Sequence, residues 1–238
     1  IASWILKIKL VLFEPNSVLG RTNKLMIGIS SKIICYDKNL KFFPNKFSKK
    51  ISEIKPIIRK KIYNINKSKK SSFDDVKKIL IIGGSQGAKF FDETLTRVVL
   101  KISKNLNIEI FQQINEKSNR SLIEKEYNNY NLKYNLFNFD ENLFENSGNF
   151  DLAITRSGAS AISELSQLCI PFIAIPFPFA KDNHQFYNAS ILQKNGLAII
   201  LDQNLNEINK AKNYIYEIYK YPYKIKSMQK NFNKIMIK

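Results

Sequence analysis

The chain has 238 residues and is 44% hydrophobic, with 17 Phe and 11 Tyr. That is enough for one large or two small packed domains, and it excludes a disordered chain. No apolar run approaches the roughly 18 residues a spanning helix needs, and the two cysteines, Cys35 and Cys169, have no paired spacing, so they support no zinc or redox motif and read as free thiols. The formal charge is +18, concentrated in residues 44–78, with 12 Lys or Arg against 3 Asp or Glu, and in a tail from Lys220 to Lys238 with six Lys and no acid. Three readings of it stand: a genome rich in A and T that inflates Lys, Asn and Ile on any solvated surface, contact with an anionic membrane face, and nucleic-acid binding, for which no aromatic-basic recognition signature is present.

The chain begins with Ile1 in mid-pattern, so a preceding N-terminal part is expected. The stretch Trp4–Phe13 reads as a helix end and then a short buried strand at Leu10–Phe13. A loop and helix fall between Ser17 and Gly28, and a second strand at Lys32–Tyr36. Residues 44–78 are polar and basic, broken by Pro44 and Pro56, and read as the connection to a second unit, ending at Ser71 and Ser72. From Lys78 strands and helices alternate. The expected pairs are strand Ile79–Ile82 with helix Lys89–Ser103, strand Ile108–Gln112 with helix Ser118–Tyr130, and strand Tyr134–Phe137 with a short helix at Asn142–Glu145. Then come strand Leu152–Thr155 with helix Ala159–Leu168, strand Phe172–Ile175 with helix His184–Lys194, and strand Ala198–Leu201 with two basic helices. The strand runs are apolar without alternation, as in a parallel sheet covered on both faces. The expected fold class is α/β with a doubly wound parallel sheet, which binds ligands at the carboxyl ends of its strands.

Two small-residue turns carry the chemistry. Gly83-Gly84-Ser85-Gln86-Gly87 follows a strand and precedes a helix, and it matches neither a Walker loop nor the usual dinucleotide spacing. It is either a phosphate-binding turn, with Ser85 donating to a phosphate oxygen, or a merely tight strand–helix turn. The second turn, Arg156-Ser157-Gly158-Ala159-Ser160-Ala161-Ile162-Ser163-Glu164, opens a helix whose free N–H groups suit a second phosphate. Arg156, at the strand end, is expected to face the ligand. Glu164 accepts from a ribose diol or serves as a helix-dipole partner. A third segment, Asp182-Asn183-His184-Gln185, gathers donors and acceptors suited to sugar hydroxyls. His184, the only histidine, is structural or catalytic, and Asp182 alternatively caps the helix.

In this order and spacing, Gly-Gly-Ser-Gln-Gly-Ala, Arg-Ser-Gly-Ala-Ser-x-x-x-Glu and Asp-x-His-Gln-x-x-Asn-Ala resemble glycosyltransferase family 28, the MurG-type β-N-acetylglucosaminyltransferases of bacterial wall synthesis. Phe13-Glu14-Pro15-Asn16 and Gly20-Arg21-Thr22-Asn23 are similar to that family's His-Glu-Gln-Asn and Gly-x-x-Asn stretch. The resemblance implies a GT-B fold of two Rossmann-like halves. It implies a division into residues 1–60 as the remnant of an acceptor-side domain, 61–77 as a basic linker and 78–238 as the UDP-sugar domain. It also implies inverting transfer of N-acetylglucosamine from UDP-GlcNAc to lipid-linked muramoyl-pentapeptide (lipid I, giving lipid II), with neither metal nor cofactor. The implied partners are these two substrates and an anionic membrane surface, not nucleic acid, at the cytoplasmic face of the bacterial inner membrane. Ser85 and the helix start from Ala159 through Ser160, Ala161 and Ile162 to Ser163 would meet the diphosphate, and Glu164 the ribose. Gln185, beside His184, would read sugar hydroxyls, with Asn16 near the donor sugar. Phe139 would read the uracil edge through its backbone, and Arg59 would lie near the nucleotide. Gly83, Gly84, Gln86, Gly87, Arg156 and Gly158 would support them. The family's Gly-Gly-Thr-Gly-Gly-His motif, source of its proposed general base, is absent, so no catalytic residue is assigned. Two alternatives remain, a donor-binding subunit of a split transferase and an inactive fragment.

Overall fold

The computed structural model describes residues 2–65, 77–84, 89–146 and 150–236. After a short helix α1 (Ala2–Ile5), a three-stranded sheet is built from β1 (Val11–Glu14), β2 (Lys32–Cys35) and β3 (Ile51–Glu53), all parallel, in the order β1-β2-β3. Helix α2 (Arg21–Met26) connects the first two strands. A small core of Leu12, Leu19, Ile27, Ile33, Cys35 and Leu40 lies on one face. The expectation that residues 44–78 form a connection is corrected here. Residues 45–50 make a 3-10 turn and Ile51–Glu53 join the sheet. Lys50 explains why so basic a stretch orders: its ammonium donates to the carbonyls of Ile27 (2.8 Å), Gly28 (3.1 Å) and Ser30, closing the end of α2 with a cation. The strand is three residues long, too short to show a period. Beyond it α3 (Lys60–Tyr63) packs on the second unit through buried Ile62, while Ser71 and Ser72, the expected end of the connection, lie outside the described residues.

The second sheet holds β4 (Lys77–Ile82), β5 (Ile108–Gln113), β6 (Lys133–Phe137), β7 (Leu152–Thr155), β8 (Phe172–Ala174) and β9 (Ala198–Ile200). Every pairing is parallel and the order is β6-β5-β4-β7-β8-β9. The strand alternation sends Ile79 and Ile81 to one face and Leu80 to the other, and both faces are covered. On the first face lie α4 (Thr96–Ser103, entered through a π-type turn at Phe91–Leu95), α5 (Arg120–Asn129) and α9 (Leu205–Lys220), which bring Val99, Ile123 and Ile215 to the core. On the other lie α6 (Leu143–Asn146), α7 (Ala159–Gln167), α8 (His184–Lys194) and α10 (Pro222–Met236), which contribute Phe144, Leu165, Ala189 and Phe232. Burying one such Leu, Ile or Phe is worth about 1.5–3 kcal/mol before entropy is counted, so two complete cores hold this sheet. The expected strands and helices recur within one or two residues at most ends. Helix α5 starts two residues later than expected because Asn119 caps it, accepting from the Leu122 amide at 3.1 Å.

The two sheets meet through Asn188 of α8. Its carboxamide oxygen accepts from the Ser17 amide at 2.8 Å, and its nitrogen donates to Asn16 Oδ1 (3.0 Å) and the Ser157 carbonyl (3.1 Å).

Candidate functional site

The strand order fixes where a ligand can sit. The chain runs outward from β4 in one direction and from β7 in the other, so the order reverses between these two neighbours. At such a switch point the loops after the strands splay apart and leave a crevice. Both sequence-derived turns open there, because Ile82 of β4 pairs in register with Thr155 of β7 and the Arg156 amide donates to the Ile82 carbonyl at 3.2 Å. Gly83 and Gly84 leave β4. Gly84 has a φ of +92°, and a Cβ at that position would meet nothing within 4 Å, so it is backbone conformation rather than crowding that asks for glycine. Ser85, Gln86 and Gly87 lie outside the described residues.

Gly158, in extended conformation, precedes α7, and no side chain caps the helix. The first intrahelical bond of α7 runs from the Ile162 amide to the Gly158 carbonyl at 3.2 Å, which leaves the amides of Ala159, Ser160 and Ala161 directed out of the helix start. The side chains of this run divide over two faces, as helical periodicity requires. Ala159, Ile162 and Ser163 line a cavity of about 690 Å³ between α7, α8 and the strand ends of the first sheet, while Glu164 is not part of that lining. Ser160 is exposed and Ala161 half-buried.

Glu164 meets Arg59 in a two-pronged ion pair, with Nε to Oε1 and Nη2 to Oε2 both at 2.8 Å, and Arg59 Nη1 also donates to the Glu141 carbonyl at 2.9 Å. The hydrogen bond to Glu164 raises the Arg59 pKa above its ordinary value. Glu164 is the sixth residue of α7 and no acid lies in the first turn, so the helix-dipole reading is set aside. What orients the carboxylate is the guanidinium, and each oxygen keeps a lone pair for a further donor. Phe139 is 70% exposed and stands two residues before the Glu141 carbonyl that Arg59 holds, so the structure brings these three residues to one edge.

Arg156 departs from expectation. It is 7% exposed and faces inward: Nη1 donates to the carbonyls of Ile175 (2.9 Å) and Pro176 (3.1 Å), and Nη2 donates to Gln203 Oε1. The guanidinium stands over the rings of Phe91 at 4.8 Å and Phe177 at 5.5 Å. Burial lowers its pKa to about 10, which leaves it a cation at neutral pH.

Gln185 is half-buried and its Oε1 accepts from the Phe177 amide at 2.9 Å. His184 Nδ1 bonds the Lys181 carbonyl at 2.8 Å. Asp182 does not cap α8. The cap position is Asn183, with no side-chain cap bond, and the Asp182 carboxylate instead pairs with Arg21 at 3.2 Å. Asn16 is held by Glu14 Oε1 (3.1 Å) and by Asn188. Sequence reasoning gives no role to Glu14 or Asn188, although both stand inside its motifs. Glu14 is buried and also accepts from the Gly20 amide (2.7 Å) and Asn23 (2.9 Å), so it builds the loop that presents Asn16. Among the described residues no cluster of His, Cys, Asp and Glu could hold a metal ion, and no helix is long and apolar enough to cross a membrane.

Comparison with known proteins agrees with this geometry. The family model of the glycosyltransferase family 28 C-terminal domain matches residues 78–237. The chain is 44% identical over 233 residues, 96% of its length, to the UDP-N-acetylglucosamine–N-acetylmuramyl-(pentapeptide) pyrophosphoryl-undecaprenol N-acetylglucosamine transferase of Pelagibacter ubique, and spans 64% of that protein. It is 32% identical over 98% of its length to the protein of the same name from Rickettsia bellii, covering 67% of it. The chain thus spans about two thirds of the length of these relatives. A crystal structure of MurG from Acinetobacter baumannii superposes with a TM-score of 0.77 at 23% identity, over 98% of this chain and 65% of that one, which is the GT-B arrangement.

Proposed function

We propose, from the premise that this chain belongs to glycosyltransferase family 28, that it is the donor-binding part of an N-acetylglucosaminyltransferase that takes UDP-GlcNAc. One observation carries the reading: the two glycine turns leave adjacent strands at the switch point of the sheet. The outward amides of Ala159, Ser160 and Ala161 would hold the diphosphate and stabilise the charge that UDP gains as it leaves. Glu164, oriented by Arg59, would accept from the ribose diol. Gln185 and Asn16 would meet the sugar, with the backbone at Phe139 at the uracil edge. The acceptor would be a lipid-linked muramoyl-pentapeptide whose 4-hydroxyl attacks the anomeric carbon with inversion once a base removes its proton. Donor and acceptor are substrates, and neither cofactor nor metal enters the proposal. The basic segment around residues 46–61 and the basic helices α9 and α10 would rest on an anionic membrane at its cytoplasmic face, without nucleic acid as a partner.

Calorimetry with UDP tests the donor site. The wild-type chain is expected to bind UDP, and Glu164→Ala to weaken binding by about 1–3 kcal/mol, the range for a lost polar partner. Unchanged affinity in a variant that melts like wild type would remove Glu164 from the ribose.

A further inference from the structure

We infer that Arg156 is a positioning residue for recognition of the donor sugar, acting through the corner after β8 on the carboxamide of Gln185. The inference rests on the donor-site reading above.

A buried guanidinium normally brings a carboxylate with it, because desolvation of the charge is otherwise uncompensated. Among the described residues Arg156 has no such partner. Within those residues its charge meets neutral acceptors and two aromatic faces. Those acceptors are distributed in a telling way. Arg156 leaves β7, Ile175 and Pro176 follow β8, and Gln203 follows β9. One side chain therefore ties together the carboxyl ends of three adjacent strands, at the edge where the ligand is placed. A guanidinium can do this because its donors are fixed in one plane, and an ammonium cannot copy that fork.

The consequence reaches Gln185 through a single peptide group. The Pro176 carbonyl that accepts from Arg156 and the Phe177 N–H that donates to Gln185 Oε1 are the two ends of the same amide. A cation at the oxygen end fixes the plane of that amide and polarises its N–H, strengthening the bond to Gln185. With its oxygen so engaged, the Gln185 carboxamide presents Nε2 and its two hydrogens as the free end. Gln185 is then a donor in this site, suited to a hydroxyl or acetamido oxygen of the sugar. Free rotation of the corner would let the carboxamide turn over and present the wrong end.

The test uses the whole 238-residue chain and compares its affinity for UDP-GlcNAc with its affinity for UDP. Gln185→Ala is expected to lower that ratio by about fivefold, one net hydrogen bond. Arg156→Met should lower it by a similar factor while UDP affinity changes little, and the double variant should lose no more than either single one. Arg156→Lys, which keeps charge but not the fork, should not restore the ratio, and Gln203→Ala should lower it in part. A packing role alone would shift the melting temperature and leave the ratio unmoved. Should Arg156→Met fail to fold, the Lys and Gln203 variants decide. A wild-type ratio in both, or losses at Arg156 and Gln185 that multiply, overturns the inference. A wild-type chain that binds no UDP overturns the donor-site reading itself, and a ratio insensitive to Gln185→Ala in a chain that binds UDP overturns the Gln185 contact with the sugar and with it the positioning role, leaving the UDP site standing.

Discussion

The strands β1 and β7 are both short apolar runs, Val11-Leu12-Phe13-Glu14 and Leu152-Ala153-Ile154-Thr155, yet they are buried in different ways. All four residues of β7 are buried, whereas β1 alternates, with Val11 50% and Phe13 43% exposed while Leu12 and Glu14 are covered. The difference lies in the layers around them. Helices pack on both faces of the six-stranded sheet, while the described core of the three-stranded sheet lies on one face. An apolar run states what a strand can bury, and its neighbours decide what it does bury. The functional geometry follows the same division. The six-stranded sheet provides the switch point, the start of α7 and the Arg156 corner, and the first sheet adds loop residues such as Asn16 and Ser17.

The largest expected effect tests this contrast directly. Ile81 is fully buried in the centre of the six-stranded sheet, and Ile81→Ala should cost about 2–5 kcal/mol through lost transfer energy and the cavity left behind. Val11→Ala, on the open side of β1, should stay within about 0.5 kcal/mol. Urea unfolding of both variants measures the difference, and similar losses would mean that Val11 is covered in solution.

Much of this is readable from the residues. The strand positions of the second sheet follow from runs such as Ile79-Leu80-Ile81-Ile82, since few alternatives exist for a short continuous apolar run between turn residues. The first turn stands out because Gly84 holds backbone that other residues avoid, with a φ of +92°, whereas the extended Gly158 marks the second turn only as a break before its helix. Strand β3 is hidden because its ordering depends on a tertiary contact, the Lys50 ammonium on the carbonyls at the end of α2. The inward turn of Arg156 is hidden for a like reason, because strand-end position does not reveal that Ile175, Pro176 and Gln203 offer acceptors beneath it. The Arg59–Glu164 pair spans 105 positions and no local pattern carries it, although each residue stands out separately within its own motif.

Next in size is the join between the two regions. Asn188 is 4% exposed and makes one bond to each of Ser17, Asn16 and Ser157. Asn188→Ala should cost about 1–3 kcal/mol, because it strands the buried Ser157 carbonyl on one side and the half-buried Ser17 amide and Asn16 side chain on the other. If the sheets are coupled as the geometry shows, hydrogen exchange at the Ser17 amide will speed up more than exchange within β4. Equal exchange at Ser17 in variant and wild type would show that the bridge does not hold the two units together.

A smaller effect, of defined sign, belongs to the six-stranded sheet alone. Asp92 is buried and accepts from the Asn115 amide at 3.1 Å and from Ser118, and among the described residues nothing donates to its Oδ1. Burial raises its pKa, outweighing those bonds. The folded state therefore binds the proton more tightly than the unfolded chain. The stability this group contributes is fully present below the unfolded pKa of about 3.9, and it is lost as pH rises through the higher folded value. Asp92→Asn should flatten that decline in unfolding curves recorded from about pH 4 to 7, and an unaltered slope would assign the decline to other groups.

The smallest expected effect sharpens the comparison from the other side. Arg21 and Asp182 also bridge the two regions, with Nε to Oδ2 at 3.2 Å, and each shifts the other toward its charged form. Their side chains are 72% and 34% exposed, so water already solvates both charges and salt screens what attraction is left. Arg21→Ala is therefore expected to leave the unfolding midpoint unchanged at physiological salt, in contrast to Asn188→Ala on the same junction. A clear loss with Arg21→Ala that vanishes in high salt would mean that long-range charge, rather than the buried amide of Asn188, holds the two sheets in register.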